Sequence, residues 1–157
     1  MTSTHAIGGL SYILSMSFLL AVALPGPVAA QAPATATLTV NVSSAKSAQG
    51  KVRVDLYNAS DGFPDKPANA FRHEVVDIDA KALTAKAVFA DLPHGVYAVA
   101  VHHDENGNGE MDKNILGIPK EGHGASNNPT APRRPPNFDE GKFSLIAPQT
   151  LDIKLFY

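Results

Sequence analysis

An all-β fold, an antiparallel β-sandwich of about seven strands, follows from three features of this sequence. Apolar and polar residues alternate with a period of two over several short runs, as on half-buried strands. Gly, Pro, Asn and Asp punctuate those runs at short intervals. No stretch beyond the N-terminal segment carries a sustained helical period of apolar residues.

The strands follow in chain order. Thr37 to Val42 sets Leu38, Val40 and Val42 on one face and Thr37, Thr39 and Asn41 on the other. Lys51 to Tyr57 repeats the pattern, with Val52, Val54 and Leu56 inward and Arg53, Asp55 and Tyr57 outward. Asn58 to Asn69 contains Gly62, Pro64 and Pro67 and reads as a loop whose Phe63 folds back on the sheet edge. Phe71 to Ile78 is the next strand, and another begins at Ala85. A turn over Asp91 to Gly95 leads into Val96 to His103, apolar on both faces and so expected to be central. Pro119 to Gly141 has five prolines and no periodicity, and reads as one long irregular loop. Lys142 to Ala147 and Thr150 to Phe156 close the sheets, with Leu151, Ile153 and Leu155 inward.

Composition sets the outer bounds. The chain has 157 residues, a formal net charge of −2, and neither Cys nor Trp. Disulfides, thiolate metal sites and a cysteine nucleophile are excluded. No basic footprint for nucleic acid is present. Ile7 to Leu24 is mostly apolar and uncharged, is broken by Pro25-Gly26-Pro27, and is followed by the small residues Val28-Ala29-Ala30. That is the layout of a signal peptide over 1–30; its rival is an uncleaved membrane anchor. Either places the remainder outside the cytoplasm, periplasmic or secreted. Residues 31–36 form a linker, and 37–157 the sandwich domain.

The densest run of oxygen-bearing side chains starts where the central strand pattern ends. Asp104, Asn106 and Asn108 alternate, Gly109 supplies a sharp turn at the sixth position, Glu110 offers its carbonyl at the seventh, and Asp112 falls at the ninth. Calcium is a hard ion that takes six to eight oxygens from such loops. The twelfth position is Ile115 rather than a chelating Glu, so the set leans on Glu121, the nearest further acid, and a weak Ca2+ site is expected. The competing account needs no ion, because Asn106-Gly107 and Asn108-Gly109 are good turn dipeptides and Asp and Asn cap loops themselves.

Histidine offers a second metal set, His103, His123 and Glu121, which would suit a transition ion in a hydrolase of the cell envelope. Neighbouring His102 and His103 must point to opposite faces of a strand, so only one can join a given site. The plainer account has His103 hydrogen-bonding the acidic loop. Tyr57, Phe63, Tyr97 and Phe138 fit a ligand groove or the core, and a triad built on Ser126 has nothing in its spacing to single it out. No catalytic set is assigned.

These residues carry a resemblance. Leu92-Pro93-His94-Gly95-Val96-Tyr97-Ala98, then His103 to Asp112, Leu116 to Gly122 and Ser126-Asn127-Asn128 recur in one order, with Phe138 and Phe143 beyond them. Val52-Val54-Leu56-Tyr57 and Phe63-Pro64 fit the opening part. In these the chain resembles the DUF2141 family of exported bacterial proteins. It departs at His123 and Ala125, where that pattern has aromatics. The resemblance implies an Ig-like or prealbumin-like sandwich in the cell envelope and supplies no activity. The expected role is a non-enzymatic binding or structural module for an envelope protein, peptide or glycan. No nucleic acid is expected as a partner, and no membrane contact beyond the leader.

Overall fold

The computed structural model describes residues 1–3, 34–130 and 134–157. Residues 4–30 of the expected leader and 31–33 of the 31–36 linker lie outside the described residues. Contacts divide the chain into Met1–Gln31 and Ala32–Tyr157, and the second unit is the β domain.

Eight strands are described: β1 Thr35–Ser43, β2 Lys51–Tyr57, β3 Arg72–Val76, β4 Ala85–Pro93, β5 Gly95–Asp104, β6 Gly122–Ala125, β7 Phe143–Leu145 and β8 Gln149–Lys154. The first begins at Thr35, inside the expected linker, because Thr35 and Ala36 pair with Pro93 and Leu92. A three-stranded sheet runs β4-β1-β8, and a five-stranded one runs β3-β2-β5-β6 with β7 also on β5. The all-β sandwich is as the sequence predicts, and each ladder is antiparallel except one. The β1 and β8 strands run parallel, Leu38 opposite Gln149 through Ser43 opposite Lys154.

The core lies between the sheets, where the alternation put it. Leu38, Val40 and Val42 of β1, Val52, Val54 and Leu56 of β2, and Val99 and Val101 of β5 are fully or nearly fully buried. Phe89, Leu145, Ile153 and Leu155 complete it. The β5 strand is central, flanked by β2 on one side. Its other edge is shared by two short strands. Gly95–Tyr97 pair with β7, and Ala100–His103 with β6. At the junction the Val99 N–H donates to Ser126 Oγ (2.9 Å), and that hydroxyl donates to the Gly141 carbonyl. Ser126 is thus a structural stitch, not part of a triad.

The stretch 119–141 is not wholly irregular. It holds β6 and a four-residue helix, α1 (Phe138–Gly141), capped reciprocally by Asn137 and Glu140. The outer face of the large sheet is also covered. Tyr57 packs edge-on against Phe63 (5.4 Å between centroids), and Phe63 against Phe138 (5.9 Å). Phe63 does fold back on the sheet, and these rings are packing residues rather than an exposed row. Tyr97 lies in the core with its hydroxyl on the Pro93 carbonyl.

Candidate functional site

The acidic loop leaves the end of β5 and is shaped by its own side chains. Asp104 Oδ1 accepts the N–H groups of Gly107 (2.7 Å) and Asn108 (3.2 Å), and Oδ2 accepts that of Gly109 (2.8 Å). Gly107 and Gly109 have φ of 76° and 79°, the left-handed region that glycine enters without strain. The Asn108 N–H also reaches Asn106 Oδ1 (2.9 Å), and the Glu110 N–H reaches Asn108 Oδ1 (2.7 Å). Both amides close on Asp112, Asn106 Nδ2 at 2.8 Å and Asn108 Nδ2 at 3.2 Å. Asp104, Asn106, Asn108 and Asp112 therefore gather in one hydrogen-bonded cluster. The Glu110 side chain is exposed and takes no part.

Glu121 sits beneath this loop and is buried. Its Oε1 accepts the Glu105 N–H (3.0 Å), while Oε2 accepts the Asp112 N–H (3.0 Å) and faces His102 Nε2 (2.9 Å). One carboxylate thus clasps both ends of the loop and a histidine of β5. Burial, the largest single influence, pushes the Glu121 carboxyl up, but the Asp112, His102 and Glu105 donors together outweigh it and hold it below the ordinary range. Both of its oxygens accept from the chain's own donors, and in this arrangement it clasps the loop.

The histidines divide as strand geometry requires, but their roles are exchanged relative to expectation. His102, not His103, bonds to the residue under the loop. His103 is fully buried on the opposite face, with Nε2 on the Gln49 carbonyl (2.8 Å) and Nδ1 on the Tyr157 hydroxyl (2.6 Å). A carbonyl can only accept, so Nε2 carries hydrogen and Nδ1 accepts from the phenol. His123 lies opposite His102 on β6, with its ring near the Glu121 carbonyl (3.4 Å). His103, His123 and Glu121 do not converge, and no three His, Asp or Glu side chains gather to hold a metal among the described residues. The transition-metal set fails on side-chain direction.

Two groups outside the expected set belong to this neighbourhood. Arg53 of β2 donates from Nη1 to the Gly109 carbonyl (2.9 Å) and from Nε to Asp55 Oδ2 (2.9 Å), tying the loop to the outer face of the sheet. Asp55 is buried there, and burial pushes its carboxyl up more than Arg53 pulls it down. Its Oδ1 and His102 Nδ1 are buried without a partner among the described residues. Alternation marked Asp55 as outward, which in a one-layer reading means solvated; the covering of that face is not visible in a strand pattern.

The model of the family described as "Uncharacterized protein conserved in bacteria (DUF2141)" matches residues 40–154, a span that holds both sheets and the loop. The chain belongs to the DUF2141 family. No curated protein and no solved structure matches it.

Whether the loop of this DUF2141 chain suits a cation is decided by its oxygens. Asn106 Oδ1 and Asn108 Oδ1 each accept one N–H and keep a second lone pair, and the Asp104 and Asp112 carboxylates have further acceptor capacity. The donor set is all oxygen, which fits a hard ion and not a soft one. Ile115, in the chelating position of a helix-flanked loop, is fully exposed and has no oxygen to offer from its side chain. The set fits a weakly held calcium ion. It is also closed by its own hydrogen bonds, so the loop's shape does not depend on one.

Proposed function

We propose that this DUF2141 chain is an exported, non-enzymatic β-sandwich that serves as a binding or structural module in the cell envelope, and that its 104–112 loop takes a calcium ion. Asp104, Asn106, Asn108 and Asp112 would hold the ion by their side chains and Glu110 by its carbonyl, while Glu121 keeps the loop's two ends in register. The observation that carries this reading is the gathering of four oxygen-bearing side chains from one nine-residue loop into a single cluster at the end of the central strand. The loop's anchorage through Arg53 and Glu121 supports a role in fixing the surface of that end of the sandwich for a peptide, glycan or envelope protein.

The test is thermal unfolding of the chain after chelation, with calcium, magnesium and zinc restored separately. Ion binding to the folded state alone stabilises by RT ln(1 + [L]/Kd), roughly 1 to 3 kcal/mol at saturation and about 3 to 10 °C in Tm for a domain of this size. Calcium should produce that rise at sub-millimolar to millimolar concentration, magnesium less, and Asp104→Ala should abolish it. An equal rise in the variant, or none in the wild type, rejects the ion.

A further inference from the structure

Directly after the acidic loop the chain makes a second, smaller projection. Lys113 and Pro119 pair across its foot, and Asn114-Ile115-Leu116-Gly117 turn at its tip. Ile115 is 101% exposed, Leu116 77% and Ile118 55%, a run of branched aliphatic side chains that no described residue covers. Single exposed aliphatics are ordinary on protein surfaces; three within four residues on one turn are a contiguous apolar tip. Lys113 and Lys120 are exposed on its two arms, set back from that tip.

Four backbone donors of the tip are already paired. Asn114 N–H donates to the Ile118 carbonyl (2.9 Å) and Gly117 N–H to the Asn114 carbonyl (2.9 Å). Leu116 and Ile118 N–H groups both donate to Asn114 Oδ1, at 2.9 and 3.0 Å. A turn that enters a low-dielectric medium must leave few donors unpaired, and this one has paired four before it leaves water. Gly117, at φ 77°, would carry a Cβ with nothing within 4 Å, so the tip stands clear of the domain.

We propose that the 113–120 turn is a membrane-docking finger, which inserts Ile115 and Leu116 into the headgroup and upper acyl region of an anionic phospholipid bilayer. Apolar side chains at the tip with lysines behind them match the depth profile of a bilayer interface, where long cationic side chains reach back to the phosphates. A protein partner would need a concave pocket for a convex tip, whereas a bilayer interface needs none. No membrane contact beyond the leader was expected from the sequence, because the exposure of these three residues exists only in the fold.

The neighbouring loop would control this docking, and that part rests on the calcium reading above. Asp104, Glu105, Glu110 and Asp112 outnumber Lys113 and Lys120 by two. The end of the sandwich that bears the finger is therefore repelled by an anionic surface until a divalent ion cancels the excess.

The chain has no tryptophan, so Leu116→Trp gives a single-site reporter of the tip in the full chain, blind to any insertion by the N-terminal segment. Vesicles of phosphatidylcholine with about a third phosphatidylglycerol should shift its emission to the blue and expose it to quenching by brominated lipid when calcium is present. Chelator, or vesicles of phosphatidylcholine alone, should weaken the apparent affinity at least about threefold, since charges near the surface each contribute a small factor. Adding Ile115→Asp should weaken it about tenfold or more. An unchanged emission with every vesicle overturns the finger and leaves the tip to a protein partner. If calcium raises Tm in solution while the emission stays fixed, the finger fails and the ion site stands. Equal docking in calcium and chelator, with no calcium effect on Tm, rejects the ion and its control while the finger stands.

Discussion

Asp55 shows how one side chain sets a pH dependence. Its carboxyl is buried in the centre of the large sheet with one oxygen unpartnered, and burial raises its pKa from the ordinary 3.8 despite the Arg53 bond. A raised folded pKa means that the native state binds the proton more tightly than the unfolded chain. Stability then rises as pH falls from neutrality through the folded pKa, and levels off below 3.8. Glu121 has the opposite sign: its depressed pKa contributes stability above 4.5, which is lost as pH falls through the folded value. Asp55→Asn should remove the first effect alone. In urea unfolding followed across mildly acidic pH, the wild type should gain stability relative to the variant as pH is lowered from 7 toward 4. A constant difference between the two would show that Asp55 titrates as in the unfolded chain. That Asp55 and His102 matter was not legible from their positions. The alternation set Asp55 on the face away from Val52, Val54 and Leu56 and told only that His102 and His103 face opposite ways; what covers the face they share comes from distant segments with no period of their own.

Strands were legible where side chains alternate and illegible where they are absent. The Val52-Val54-Leu56 and Leu38-Val40-Val42 patterns gave both the strand and its buried face, because each inward position carries a branched apolar residue. By contrast β6 is Gly-His-Gly-Ala, which offers a pattern method nothing to count. The structure supplies the reason for its glycines. A Cβ on Gly124 would lie 2.8 Å from the Lys154 carbonyl oxygen and 2.9 Å from Ile153 Cγ2, so the main chain of β8 crosses where a side chain would stand. Gly124→Ala should therefore lower stability by roughly 1 to 3 kcal/mol through overpacking. Gly95→Ala is the control, since its added methyl meets nothing closer than the Tyr97 ring at 3.4 Å, and its urea midpoint should move little. Equal midpoint shifts in the two would mean that the alanine at 124 is accommodated by a movement of β8. The acidic loop is the intermediate case. Its composition and turn positions were readable, and so was the gathering of Asp104, Asn106, Asn108 and Asp112. The recruitment of Glu121 as a clasp needed β6 to pair with β5, and so was lost with that strand.

At the scale of the whole domain, the C-terminus joins the two sheets. The β8 strand runs parallel to β1, and the Leu155 N–H still bonds to Ser43. The next residue crosses over: Phe156 and His123 exchange both backbone bonds at 2.9 Å, which brings the end of the chain onto β6 of the other sheet. Tyr157 then completes a directed chain, with Lys46 N–H donating to its oxygen (2.8 Å), its hydroxyl to His103 Nδ1, and His103 Nε2–H to the Gln49 carbonyl. One phenol thus connects the β1–β2 turn, the central strand and the terminus. Removing only its oxygen, by Tyr157→Phe, leaves a buried imidazole nitrogen without its donor and should cost roughly 1 to 3 kcal/mol in urea unfolding near neutral pH. The dependence on alkali gives a sharper test. Burial raises the Tyr157 pKa above 10.0, more than the Lys46 bond lowers it. The folded state therefore holds this proton more tightly, and its contribution is complete below pH 10 and declines as pH rises toward the folded value. The difference between wild type and Tyr157→Phe should accordingly shrink above about pH 10, while the calcium increment in Tm should be the same in both, because the phenol lies on the opposite face of β5 from Glu121. A difference that persists undiminished into alkali would place the loss in ring packing, and a lost calcium response would couple the terminus to the loop.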